Sequence, residues 1–168
     1  MKRIIVRTVF FLATLLLSLA TVGLAEEKAT CSTASVAGEW GYTFTGAIIL
    51  SSGPVTIGVV GRSTIDAEGN VSATQTESVG GKIAEDLVKG TATVNSDCIG
   101  TLNVSVYDQT GTTLLRTATW VTVFDDHARE LRALMTSLVP AGSTSGFPVV
   151  ITMNGKKQFP RSGKGHEE

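Results

Sequence analysis

Two cysteines, two histidines and a nearly even charge balance, 14 basic against 15 acidic residues, set the first limits on what this 168-residue chain does. Without a basic excess it lacks the electrostatic footprint of a nucleic-acid binder. Two distant cysteines, Cys31 and Cys98, do not make a zinc site, and the histidines that would complete one are His127 and His166, the latter in a polar tail. Catalytic groups are as scarce. His127 lies among Asp125, Asp126, Arg129 and Glu130 in what reads as a solvated turn, and no serine occupies a nucleophile-elbow context. Carboxylate pairs occur only as adjacent turn residues, and neighbours on a strand point to opposite faces. The composition predicts no catalytic residue, no cofactor and no enzyme. Asp66-x-Glu68-x-Asn70 with Glu77 has the outline of a calcium loop, but Val71 stands where the sixth-position glycine belongs and the flanks are strands, so hairpin-turn chemistry is expected there instead.

Long apolar runs are also missing, apart from one at the start. Lys2, Arg3 and Arg7 precede the run 9–24, and Gly23-Leu24-Ala25 places small residues where a signal peptidase reads. The pattern predicts a secretory signal peptide over 1–25, cleaved after Ala25. A retained membrane anchor needs roughly 20 apolar residues, and this run has about 16. Lys28-Ala29-Thr30 before Cys31 does not resemble a lipobox. About 143 residues remain, the size of one domain: an N-terminal segment over 26–37, a β domain over 38–160 and a polar tail over 161–168. In a secreted or periplasmic setting, Cys31 and Cys98 are expected to form one disulfide.

From residue 38 onward the pattern is one of alternation and turns, with helical spacing at a single place. Eight strand-like runs are separated by Ser51-Ser52-Gly53, Ala67-Glu68-Gly69-Asn70, Gly80-Gly81, Ser96-Asp97-Cys98, Gln109-Thr110-Gly111, the polar 125–130 connection and a loose 140–146 loop. Residues 126–138 have good helix formers and an apolar face of helical spacing. Strand is preferred, because the segment lies between β-rich runs and completes an even count. Eight sequential antiparallel strands predict an all-β meander closed into a calycin-like β-barrel, whose interior is either filled or holds one small ligand.

Aromatic residues make up only 6% of the chain, yet three fall at alternate positions of "VAGEWGYTFTG", residues 36–46. Trp40, Tyr42 and Phe44 therefore share one face of the first strand. Trp40 is expected to plug a barrel end. Tyr42, Phe44 and Trp120, with Gln75, Glu77 and Arg116 if they turn inward, are the candidate ligand contacts. An inward Arg116 needs a partner such as Glu77 or a ligand anion; snorkelling to the barrel rim is the expected outcome, for Gln75 and Glu77 as well.

Gly38-Glu39-Trp40 at the start of such a meander resembles the Gly-x-Trp opening of lipocalins and other calycin-type barrels. The resemblance implies a Trp packed under a basic residue near the C-terminus, here Lys157 or Arg161. The aromatic opening, Asp66-Ala67-Glu68-Gly69-Asn70, and Asn95-Ser96-Asp97-Cys98-Ile99-Gly100-Thr101 together resemble small secreted bacterial proteins of unknown function, with Ala67 replacing a usual glycine. That likeness implies export and a barrel, and brings no activity. The expected function is binding of a small apolar or amphipathic ligand; the alternative is a solid barrel that acts as an envelope interaction, inhibitor or accessory protein. Polar residues opposite the rings, among them Glu39, Thr43, Thr45, Arg62 and Asn103, argue against insertion of the mature chain in a membrane.

Overall fold

The computed structural model describes residues 31–125 and 127–158. The predicted signal peptide, Arg161, His166 and the 161–168 tail lie outside the described residues. A 3-10 turn at Ala34–Val36 leads into eight strands: β1 (Gly38–Leu50), β2 (Gly53–Ile65), β3 (Asn70–Val79), β4 (Lys82–Val94), β5 (Ile99–Asp108), β6 (Leu114–Asp125), β7 (Glu130–Pro140) and β8 (Val149–Gln158). Each pairs antiparallel with its sequence neighbours, and β1 also pairs with β8, from Glu39 opposite Gln158 to Ile48 opposite Val149. The predicted eight-stranded closed meander is the observed fold.

Short turns make this topology cheap to form. Val79 pairs with Lys82 around Gly80 and Gly81, whose φ values of 56° and 85° fit a tight hairpin with both central residues left-handed. Asp66 closes the β2–β3 turn by accepting the Asn70 N–H on Oδ1 and the Asn70 side-chain amide on Oδ2, both at 2.7 Å. The hairpin-turn role expected of Asp66 is thus the one observed.

The preference for strand over helix in 126–138 holds for β7, which carries one irregularity. In β7 the register against β6 shifts between Thr119 and Trp120, so Ser137 faces Thr119 while Met135 faces Trp120. Thr136 is the extra residue, and its hydroxyl donates to the Thr119 carbonyl. A bulge of this kind resets the alternation. Leu131, Ala133 and Met135 are buried at alternate positions before the bulge and Leu138 after it, while Leu134, which completes the apparent helical face, is half exposed, so the segment is strand from Glu130 on.

The two ends of the barrel differ. At the end where the chain enters, Trp40 is 1% exposed and its indole N–H donates to the Val36 carbonyl at 2.9 Å. Phe124 meets it edge-on at 5.7 Å. Lys157 lies over the Trp40 ring at 5.9 Å and donates to the Ser35 carbonyl, so the basic residue implied by the lipocalin resemblance is found on β8. Burial and the nearby Arg129 charge lower the Lys157 pKa. The predicted Cys31–Cys98 disulfide is present, with a Cα–Cα distance of 4.9 Å, and ties the N-terminal segment to the β4–β5 turn. The opposite end, formed by the connections after β1, β3, β5 and β7, is less tightly closed: Ile48, Val79 and Val149 there are only partly buried.

A crosslink spanning 67 residues is worth about 4 kcal/mol by loop-closure entropy. Thiol titration of denatured, unreduced protein should therefore find no free thiol. Cys98→Ala should lower the melting temperature while the far-ultraviolet circular dichroism keeps its β signature. Two titratable thiols in unreduced protein would contradict the pairing.

Candidate functional site

Register carries one row of side chains around half the barrel wall. Tyr42 on β1 stands opposite Gly61 on β2, Gly61 opposite Gln75 on β3, and Gln75 opposite Asp86 on β4. Paired residues share a face, so Tyr42, Gln75 and Asp86 all turn inward. Gly61 makes the row continuous. A Cβ there would lie 2.5 Å from the Tyr42 ring and hydroxyl oxygen, so its absence lets the ring lie across β2. The Tyr42 hydroxyl can then donate to Gln75 Oε1 on the next strand, at 3.1 Å. The Gln75 amide passes the chain on, donating to Asp86 Oδ2 at 3.1 Å.

Arg116 joins this row from β6. Its inward direction follows from pairing with Val106, a buried residue of β5. The guanidinium grips Glu77 with both terminal nitrogens, Nη1 to Oε1 at 3.3 Å and Nη2 to Oε2, and Nη2 also donates to Asp86 Oδ2 at 2.8 Å. Side-chain exposures are 19% for Arg116, 8% for Glu77 and 1% for Asp86. The expected snorkelling of Arg116, Gln75 and Glu77 to the rim is therefore corrected: all three are held inward. Two carboxylates on β3 and β4 provide the compensation that makes an inward guanidinium affordable, and Arg116 has the reach to meet them.

Asp86 was not anticipated. The alternation on β4 carries the signal, since Val88, Ala92 and Val94 are buried and Asp86 is two residues before Val88. Calcium aside, Glu77 belongs to this cluster and not to the Asp66 turn. Trp120 is 2% exposed and meets Phe44 edge-on at 5.2 Å, while the Phe44 and Tyr42 rings lie parallel, 6.4 Å apart. Every sequence-predicted ligand contact thus faces the lumen. Trp40 does so too, as its floor.

No family model, curated protein or solved structure matches this chain. Its chemistry has to be read from the lumen itself.

The lumen contains a cavity of about 270 Å³, lined mostly by apolar side chains, including Trp40, Phe44, Val104, Trp120, Met135 and Met153, with Gln75, Glu77 and Arg116 on its polar wall. Asp86 does not line the cavity; it backs Gln75 and Arg116. Burial, followed by the negative charge of Asp86, raises the Tyr42 pKa, so the phenol stays a neutral donor. Burial also raises the Glu77 carboxyl above its ordinary range; Arg116 opposes this and Asp86 reinforces it. Among the described residues no group of three or more His, Cys, Asp or Glu side chains is arranged to hold a metal ion.

Removing one member of a buried ionic group costs about 3–5 kcal/mol because the others lose their compensation. Arg116→Met should cost that much in urea denaturation, since it leaves Glu77 and Asp86 facing each other. Glu77→Gln should be far milder, since it neutralises one of two negative charges. Its effect should also depend on pH. Folded Glu77 holds its proton to higher pH than unfolded glutamate does, so its contribution is fully present below the unfolded pKa of about 4.3 and is lost as pH rises through the raised folded value. Wild-type stability should fall relative to Glu77→Gln across that window, and parallel pH profiles would show that Glu77 is not shifted.

Proposed function

We propose that this protein is an exported, non-enzymatic barrel that binds a small apolar or amphipathic molecule in its lumen. The observation that carries this reading is the cavity of about 270 Å³ between the Trp40 floor and the open end. A barrel whose only task is stability would fill that space, since each buried void forfeits packing contacts. The volume lies above the ~150 Å³ that accommodates benzene and close to the ~300 Å³ at which ligand pockets for drug-sized molecules begin. Its lining is apolar with a few convergent polar groups, the usual composition of a small-molecule site.

The polar wall supports the same reading. A buried ion group is often no more stabilising than apolar residues of equal volume, so Arg116, Glu77 and Asp86 are better explained by recognition than by folding. Ile49, Ile83, Leu114, Leu115 and Phe147 are exposed at the open end, where they give an apolar solute a favourable approach. The disulfide fits an oxidising compartment. The outward positions Glu39, Thr43, Thr45, Arg62 and Asn103 are exposed and polar, in keeping with a mature chain that does not insert in lipid. The Gly38-Glu39-Trp40 likeness to lipocalins points the same way.

One feature favours the second reading, a protein that works through an envelope partner. Ile99 pairs with Val123, and Val121 with Leu134, on the outer face of β5, β6 and β7, so four half-exposed apolar side chains adjoin. Ligand binding does not use that patch.

Both tryptophans of the chain, Trp40 and Trp120, line the cavity, so intrinsic fluorescence reports directly on its occupancy. A neutral naphthalene-type probe should bind saturably and alter that emission. Trp40→Ala should cost about 3–5 kcal/mol, as a fully packed core truncation does. Phe44→Ala, beside an existing void, should cost less and should weaken the probe. Equal costs, together with no probe binding to the wild type, would turn the aromatic wall into simple core and favour the partner reading.

A further inference from the structure

From the charge count at the polar wall we infer that the lumen selects an amphiphile with a positively charged amine head, and disfavours carboxylate amphiphiles such as fatty acids. The inference rests on the binding reading above and names the ligand class of that same cavity.

Glu77 and Asp86 contribute two negative charges, Arg116 contributes one positive, and among the described residues no other cation forms an ion pair with either carboxylate. The site therefore has one positive charge too few. Arg116 already shares its charge between two carboxylates. Its two terminal nitrogens are both engaged, bridging to Glu77 and reaching Asp86. A carboxylate head could meet only the N–H groups that remain, on Nε and Nη1, and would add a third negative charge to a poorly hydrated wall with one cation, which is costly. An ammonium head has the opposite effect. Glu77 lines the cavity, and each of its oxygens accepts one bond from Arg116, leaving lone-pair capacity for an N–H donor. Such a contact is charge-assisted and also balances the cluster. Burial, and to a lesser degree the Asp86 charge, raise the Glu77 carboxyl while Arg116 opposes this; an ammonium beside Glu77 would act in the same direction as Arg116.

The rest of the cavity sets the body of the ligand. Its walls are aliphatic and aromatic, so a bare metal ion would leave the space unfilled. Scaling from benzene in a ~150 Å³ cavity, about 270 Å³ suits a body on the order of ten non-hydrogen atoms. A primary amine on a medium-length alkyl chain or a compact ring system meets both requirements. Gln75 lies beside Glu77's strand position, held between the Tyr42 hydroxyl and Asp86, and fixes the wall's orientation.

Octylamine, octanol and octanoate share one tail and differ only in the head, so they separate the two levels of the argument. Each is titrated near neutral pH against the protein carrying a bound neutral fluorescent probe. Octylamine should displace the probe at a concentration about tenfold lower than octanol, as one added charge-assisted bond gives, with octanoate weakest. In Glu77→Gln, checked for folding by circular dichroism, the advantage of octylamine over octanol should shrink to within about threefold. Asp86→Asn provides a second neutralisation and should shift the ratio the same way. Equal displacement by amine and alcohol, tighter binding of octanoate, or an amine preference unaffected in both variants would overturn the amine inference and leave lumenal binding standing. If neither the probe nor any of the three amphiphiles binds, the binding reading itself falls, and the inference with it.

Discussion

The pairing of β1 with β8 is the constraint on which everything else rests. Without it the meander would have two open edges and no defined inside. With it, each strand has one lumenal and one outer face, and side-chain alternation becomes a division between cavity and solvent. Closure also fixes which residues meet across the space. Arg116 on β6 reaches carboxylates on β3 and β4 because the sheet curves back on itself, and in a flat sheet the same residues would stand strands apart with no common interior.

The enclosed space is used unequally along its length. Near the N-terminus, the floor is dense: Trp40 carries a hydrogen bond, an edge-on aromatic contact and a cation above its ring, and the disulfide anchors the segment beneath it. Further along, the contents change. Gly61 gives up a side chain so that Tyr42 can cross β2, and the space between the aromatic wall and the ionic wall stays partly empty. One end therefore supplies stability and the other supplies a site, with Phe44 and Trp120 as the boundary. A charged cluster has to be balanced within the lumen, and the proposed selection by head-group charge follows from that requirement.

Much of the architecture was legible in the sequence because antiparallel strands with short turns are local features. Alternation and Gly, Asn and Asp turns marked all eight strands, and two cysteines leave one pairing. The aromatic triplet on β1 pointed correctly to the lumen. What could not be read was local information overridden by distance. Good helix formers and the apolar Leu134, which turns outward, made β7 look helical, and the bulge at Thr136 interrupts its two-residue period. Arg116 read as a rim residue because its compensation lies on β3 and β4, which only closure brings within reach. Asp86 was within the alternation of β4, but a lone aspartate beside Glu85 in an exposed-looking run gives no sign that it backs an ion cluster. Nothing in a linear pattern reports the volume left between inward side chains, and the cavity is the feature on which the proposed binding depends.

Native mass spectrometry of the protein purified without detergent from its own cells tests the central claim, an occupied lumen, most directly. The account predicts a bound small molecule of constant mass between preparations, released on denaturation, and carrying a basic nitrogen. A single ligand-free mass in every gently handled preparation, together with a lumen that admits no apolar probe, would contradict it.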